Sequence, residues 1–194
     1  MESLRTIDEI QKPDERNLIW GGTIKDHYAD IASIHVNSTA PEEVRSYFVT
    51  VQNLCVYAWF SYDFYALVVF LTFTLIEMAL KLRFPRNGRD GLRRLLQKAI
   101  KRKLINEKAF THIKVIRQQQ AENLVMYRKL RRGFHTMMRS RLPKNDYLAI
   151  LLESLPKLRN SFAHPSGHAI HFPHEAIFSL RFAAEFVNQL FPLP

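Results

Sequence analysis

The sequence predicts an all-α protein, an antiparallel helical bundle with short connections, and three observations carry that expectation. Apolar residues recur at spacings of three and four over most of the chain. No glycine or proline interrupts the stretch from Glu42 to Phe84. No long strand pattern, internal repeat or low-complexity tract is present. With 194 residues, 47% hydrophobic and 12% aromatic, the chain can bury a single-domain core and is too apolar to stay disordered.

Residues 1–40 are polar and mixed, and read as an arm or extension to a helical domain at 41–194. Within the arm, Leu18-Ile19-Trp20 and Ile31–Val36 are candidate short strands or extended segments, with Gly21-Gly22 as a turn. Thr39-Ala40-Pro41-Glu42-Glu43 predicts a helix start: a capping Thr, Pro in the first turn, and acids at the positive helix end. From there the chain forms one very long helix or two helices joined at the polar knot Ser61-Tyr62-Asp63.

Pro85-Arg86-Asn87-Gly88 is a turn signal, after which Asp90 is expected to cap an amphipathic helix. Its apolar side is Leu92, Leu95, Leu96, Ala99, Ile100 and Leu104; its other side is Arg93, Arg94, Lys98, Lys101 and Arg102. A second basic helical stretch is expected over about 107–132, with Gly133 and Pro143 as punctuation. Asn145 or Asp146 then caps a helix whose apolar positions are Leu148, Ile150, Leu151, Leu155 and Leu158. Pro156 should kink that helix or mark a restart near Lys157. A loop rich in His and Pro at 164–174 precedes a final amphipathic helix over Glu175–Leu190.

The formal net charge is +10, and it is unevenly placed. Residues 81–141 hold 19 Lys and Arg against three acids, Asp90, Glu107 and Glu122, a local net of +16, while the remainder nets −6. One segment carries the positive field, which suits a sequence-independent phosphate surface; the plainer alternative is a solvated face on amphipathic helices. The aromatics in it (Phe84, Phe110, Tyr127, Phe134) are sparse, so stacking platforms for single strands are not evident. One cysteine, Cys55, excludes a disulfide framework and a thiolate-rich zinc module. The first residues lack a basic and apolar leader, and the charge-free run Phe64–Ile76 is shorter than a membrane span requires. A cytoplasmic protein with a buried apolar helix, and no membrane partner, is expected.

The segment with chemical content is Leu158-Arg159-Asn160-Ser161-Phe162-Ala163-His164-Pro165. Arg159 ends an apolar periodic helix and is the only Arg between Arg141 and Arg181; Asn160 is next, and His164 comes after four intervening residues. This resembles the signature of the HEPN superfamily: an Arg, usually followed by a polar residue, then a His after four to six positions, at the end of a helical bundle. The order of elements over roughly 42–190 is similar as well. A looser match at Arg128 and His135 lacks the adjoining Asn and is explained by bulk basic content. The resemblance implies a bundle of four to five core helices and a metal-independent endoribonuclease working as a homodimer with facing motifs. It needs no cofactor, and the setting it implies is defence or toxin–antitoxin growth control, with an antitoxin protein as a further partner.

Ribonuclease chemistry explains these residue types. RNA supplies its own nucleophile, the 2′-hydroxyl, so the enzyme must move protons and stabilise charge on the phosphoryl oxygens. A histidine near neutrality can act as base or acid, and a guanidinium offers fixed donors to phosphate without losing its charge. On that logic Arg159 clamps the phosphate, His164 transfers the proton, Asn160 orients or donates a hydrogen bond, and a dimer supplies the second His. The contrasting possibility is that Arg159 pairs with a core carboxylate, Asn160 stops the helix, and His164 is a loop residue.

The family often sets an acidic or polar side chain on an earlier helix, facing the motif. Asp63 and Glu77, fourteen positions apart, share a face if their helix is continuous. Glu77 would meet Arg159, or instead Lys81 one turn later. His164, His168, His171 and His174 form a cluster that suggests metal, but no Cys or Asp accompanies them, so a His-rich loop bordering the groove is expected and no metal. The functional alternatives are a non-catalytic module that binds nucleotide, RNA or a partner protein, and a membrane-associated helical protein.

Overall fold

The computed structural model describes residues 4–19, 21–85, 90–115, 147–163 and 172–194. It is an all-α bundle, with no strand among the described residues. The helices are α1 (Glu15–Leu18), α2 (Ile24–Ala32), α3 (Glu42–Tyr57), α4 (Phe64–Arg83), α5 (Leu92–Lys101), α6 (Tyr147–Ala163) and α7 (Pro173–Leu190). Residues 111–115 are also helical.

The break-free stretch is two helices, and the joint lies at 58–63, where the polar knot is. A break in a helix leaves backbone groups without partners. Turn N–H groups take the carbonyls of Leu54, Val56 and Tyr57. His27 takes the remaining one, its Nε2–H donating to Cys55 O at 2.8 Å. Burial depresses the His27 pKa, which keeps the ring neutral and fit for that single bond.

The arm completes the joint. Asn17 Nδ2 donates to Ala58 O at 3.1 Å and Trp59 O at 2.9 Å, and the Asp14 N–H also donates to Trp59 O. The Asp14 carboxylate accepts from the Tyr62 N–H at 3.1 Å, from Arg16 Nε and Nη2 at 2.9 Å each, and from Arg5 Nη2 at 3.0 Å. Burial by itself raises the Asp14 pKa, but these donors outweigh it and bring it down to about 2.

α4 is the central post. It packs against α3, α5, α6 and most extensively α7, burying Tyr65, Val68, Phe73, Leu75, Ile76 and Leu80. By length and composition it is the one helix among the described residues that could cross a membrane, yet half of its apolar window is inside the bundle. Asn37, Thr39 and Asn188 tie the loop before α3 to the end of α7: Asn37 N–H donates to Asn188 Oδ1 at 2.7 Å, and Thr39 Oγ1 to Phe191 O at 2.7 Å.

Several local expectations are corrected. Leu18 ends α1 and Ile31 lies within α2, so neither segment is a strand; Trp20 is outside the described residues. The decisive local signal is Thr23-x-x-Asp26, a reciprocal capping box that starts α2. Gly21 and Gly22 both have positive φ, a conformation open to glycine, in irregular chain before α2. Ile31, Ile34 and Ala40 share the core with α3, α4 and α7, so residues 24–40 pack as part of the bundle.

Thr39 caps nothing, because its hydroxyl is committed to α7 and Pro41 occupies the N-cap of α3. Gly91, not Asp90, precedes α5; Asp90 pairs instead with Lys98 and Arg94. Residues 107–109 form a 3₁₀ turn before the helical 111–115, and the expected helix beyond that, with Gly133, Pro143, Asn145 and Asp146, lies outside the described residues. α6 runs through Pro156 without a restart. Its buried side is Leu151 and Leu155, while Ile150 and Leu158 are exposed.

The Asp14 hub yields the first prediction. Asp14→Asn removes a charge that serves five donors, the Arg16 backbone N–H included, and hydrogen bonds to charged groups contribute about 1.5–3 kcal/mol each. Thermal unfolding at pH 7 should show Tm lowered by roughly 4–8 °C, given about 2–4 °C per kcal/mol at this size. The folded pKa lies below the unfolded one, so this stability is complete above about pH 4 and is lost as pH falls toward 2. Urea titrations from about pH 7 to about pH 2.5 should therefore show the two proteins converging at the acid end.

Candidate functional site

α4 is nearly free of charge, and Glu77 is the only ionisable acid or base between Asp63 and Lys81 other than Tyr65. A carboxylate on such a helix needs cationic partners, and it has two. Lys81, one turn later, places Nζ 2.7 Å from Oε1, and Arg159, near the end of α6, places Nε 3.2 Å from Oε2. The two pairings anticipated as alternatives occur together. The Glu77 side chain is 14% exposed, that of Lys81 44% and that of Arg159 36%, so the carboxylate is embedded and the cations reach solvent.

These residues line a groove of about 460 Å³ whose other walls are Glu43, Thr74, Met78 and Leu82. Among the described residues, the Arg159 guanidinium bonds only Glu77, through Nε, which leaves both Nη groups for a ligand. One carboxylate between two cations leaves a positive charge at this pair of contacts, offset across the groove by Glu43, and it fixes the orientation of the guanidinium fork. The arrangement suits an oxyanion such as a phosphate diester.

Asn160 is exposed on the next position of α6. Asp63 stands at the N-cap of α4, two-thirds exposed, and pairs with Arg16 Nη1 at 3.3 Å rather than with Arg159. His164, His168 and His171 lie outside the described residues; His174 lies in the first turn of α7, its ring stacked on Phe172 at 5.6 Å. Among the described residues no group of three or more His, Cys, Asp or Glu could hold a metal ion.

The basic face of α5 is partly committed. Asp90 holds Lys98 and, at 3.8 Å, Arg94; Arg102 stacks over the Phe84 ring at 5.2 Å. Arg93 and Lys101 are exposed. α5 packs against α6. The Glu153 carboxyl of α6 is held below its usual range mainly by Lys157, and also by Arg93 across the helix pair. Position 153 precedes Arg159 by six residues, about 9 Å of helix, so the exposed basic side chains border the helix that carries Arg159.

Sequence reasoning missed a second polar-aromatic cluster, formed by His112, Tyr147, Phe178 and Phe182. Its members come from three separate elements, and no local spacing announces them. A scan of family models, a search of curated proteins and a search of solved structures each found no match for this chain.

The Glu77–Arg159 contact is testable without any assay of activity. A double-mutant cycle with Glu77→Gln and Arg159→Gln, read by urea denaturation, should give a coupling of about 0.5–1 kcal/mol. It should shrink in about 1 M salt, because both cations are solvent-exposed.

Proposed function

We propose that this chain is a metal-independent endoribonuclease of the HEPN type, cutting RNA by attack of the 2′-hydroxyl on the adjacent phosphorus. The observation that supports this reading best is the setting of Arg159. It is the motif arginine, it stands near the end of a bundle helix, it lines an open groove, and Glu77 orients it through Nε while neither Nη group has a partner among the described residues. Those groups would take the phosphoryl oxygens, and Lys81 would add charge from the same groove. His164 would carry the proton and Asn160 would donate to the substrate. One histidine cannot accept the 2′ proton and protonate the 5′ oxygen at once, so a homodimer would bring the second. Arg93 and Lys101, with Arg94, Lys98 and Arg102 around them, would hold the strand electrostatically. A cytoplasmic defence or toxin–antitoxin role, with an antitoxin as protein partner, belongs to the same reading.

The second reading is a non-catalytic HEPN-like module that binds RNA, nucleotide or a partner protein. Glu77 favours it, since two cations sharing one carboxylate is also what a purely structural ion-pair network builds.

The deciding experiment incubates purified protein with single-stranded RNA in the presence of a chelator. Arg159→Ala and His164→Ala should each slow cleavage by at least about 100-fold, the usual scale for lost acid–base or electrostatic catalysis. A 2′-deoxy substrate should resist. Cleavage that survives both substitutions, or no cleavage by the unaltered protein, sinks the catalytic reading.

A further inference from the structure

A second cavity, of about 280 Å³, lies where residues 111–115 meet the middle of α7. A cavity of about 150 Å³ holds a benzene ring, so this one admits a single planar ring system with a substituent and little more. Its walls are aromatic. The His112 and Phe178 rings lie 5.1 Å apart at 72°, and Phe182 lies 6.0 Å from His112 on the other side. Behind them Phe110 stacks on Phe182 at 5.2 Å, so the wall is backed by core and cannot collapse freely.

His112 is held in place. Its Nε2 is hydrogen-bonded to the Tyr147 hydroxyl at 2.8 Å, and burial depresses its pKa. Phe178, by contrast, leaves 48% of its surface exposed at the cavity.

Two charged groups one helical turn apart complete the cavity lining. Among the described residues Arg181 has no hydrogen-bond or ion-pair partner, and it is exposed. Glu185 accepts the Thr111 N–H through Oε2 at 3.1 Å, which fixes its carboxylate and leaves Oε1 without a partner among the described residues. An aromatic wall with a guanidinium and a positioned carboxylate oxygen at its edge has a ready chemical complement. It is a flat ring that donates a hydrogen bond and carries an anion.

We propose that this cavity binds a nucleotide whose base bears an exocyclic amino group. The base stacks on the half-exposed Phe178 ring, with His112 meeting it edge-on at 72° to that ring, its amino N–H donates to Glu185, and its phosphate meets Arg181. Adenine, cytosine and guanine satisfy the carboxylate through an amino N–H, whereas uracil has only its N3–H, flanked by two carbonyls that the carboxylate repels, and is disfavoured. The assignment does not depend on the chemistry at Arg159. The nucleotide is either free or an unpaired residue of a strand, and the two sources are separable.

The test measures fluorescence anisotropy with labelled 2′-O-methyl oligoadenylate, oligocytidylate and oligouridylate, which lack the nucleophile, alongside calorimetry with AMP and UMP. The full-length protein should bind the adenine and cytosine strands at least about fivefold more tightly than the uracil strand, the lower end of base discrimination by one good contact. Phe178→Ala should weaken oligoadenylate binding at least about fivefold, the lower end of one base–aromatic stack. Phe178 is half-exposed, so this variant should keep its thermal unfolding midpoint. Glu185→Gln keeps an oxygen for Thr111 but turns the other group into a donor, and it should erase the preference for adenine over uracil. Binding of AMP identifies the free nucleotide as ligand; binding of the strands alone identifies an unpaired residue of RNA.

Equal binding of uracil and adenine, unchanged affinity in Phe178→Ala, or no binding of any probe overturns the proposal. Cleavage lost in Arg159→Ala, with binding unaffected in Phe178→Ala, removes this pocket and keeps the ribonuclease. Adenine-selective binding without any cleavage removes the ribonuclease and keeps the pocket.

Discussion

The structure depends on how the break between α3 and α4 is satisfied. Folding one long apolar stretch into a hairpin exposes backbone groups at its corner, and buried polar groups without partners are costly. Asp14, Asn17 and His27, all from the segment that precedes the hairpin, supply those partners. With the corner held, α4 can lie between α3 and α7 and present a further face to α6. The position of Glu77 against Arg159 is a remote consequence of that corner. The arm is thus less an appendage than the clasp of the bundle.

Legibility in the sequence tracks the range of the interactions. Period and breakers are local, so the long helices, the joint at 58–63 and the final helix are readable from spacing alone. Caps that depend on tertiary partners are not. Thr39 has the composition of an N-cap but gives its hydroxyl to Phe191, 152 residues away. Asp90 likewise looks like a cap and serves as the anion for Lys98 and Arg94. The arm has the look of extended chain because its apolar residues are few, and its helices depend on the capping box at Thr23 and on burial of His27 and Ile31.

The candidate site is legible in part, for a physical reason. A carboxylate in an apolar helix and an isolated arginine at a helix end are both conspicuous, and each constrains the other, so Glu77 with Arg159 can be anticipated as one of two pairings. That Lys81 shares the same carboxylate cannot, because the choice depends on the crossing of α4 and α6. The cluster around His112 leaves no trace at all: a histidine, a tyrosine and two phenylalanines in three elements become neighbours only after packing.

α6 has a role beyond carrying Arg159. Tyr147 at its start braces His112, and Arg159 near its end lines the groove. Twelve positions separate these points, about 18 Å of helix. A continuous helix is a stiff spacer, so the two places keep a fixed separation whatever the connecting loops do. A ligand long enough to reach both would lose the entropy of association once and gain from the high effective concentration of its second end. One too short would meet either place only singly. If both proposed places bind one ligand, the backbone of that helix would select it by length rather than by any single contact.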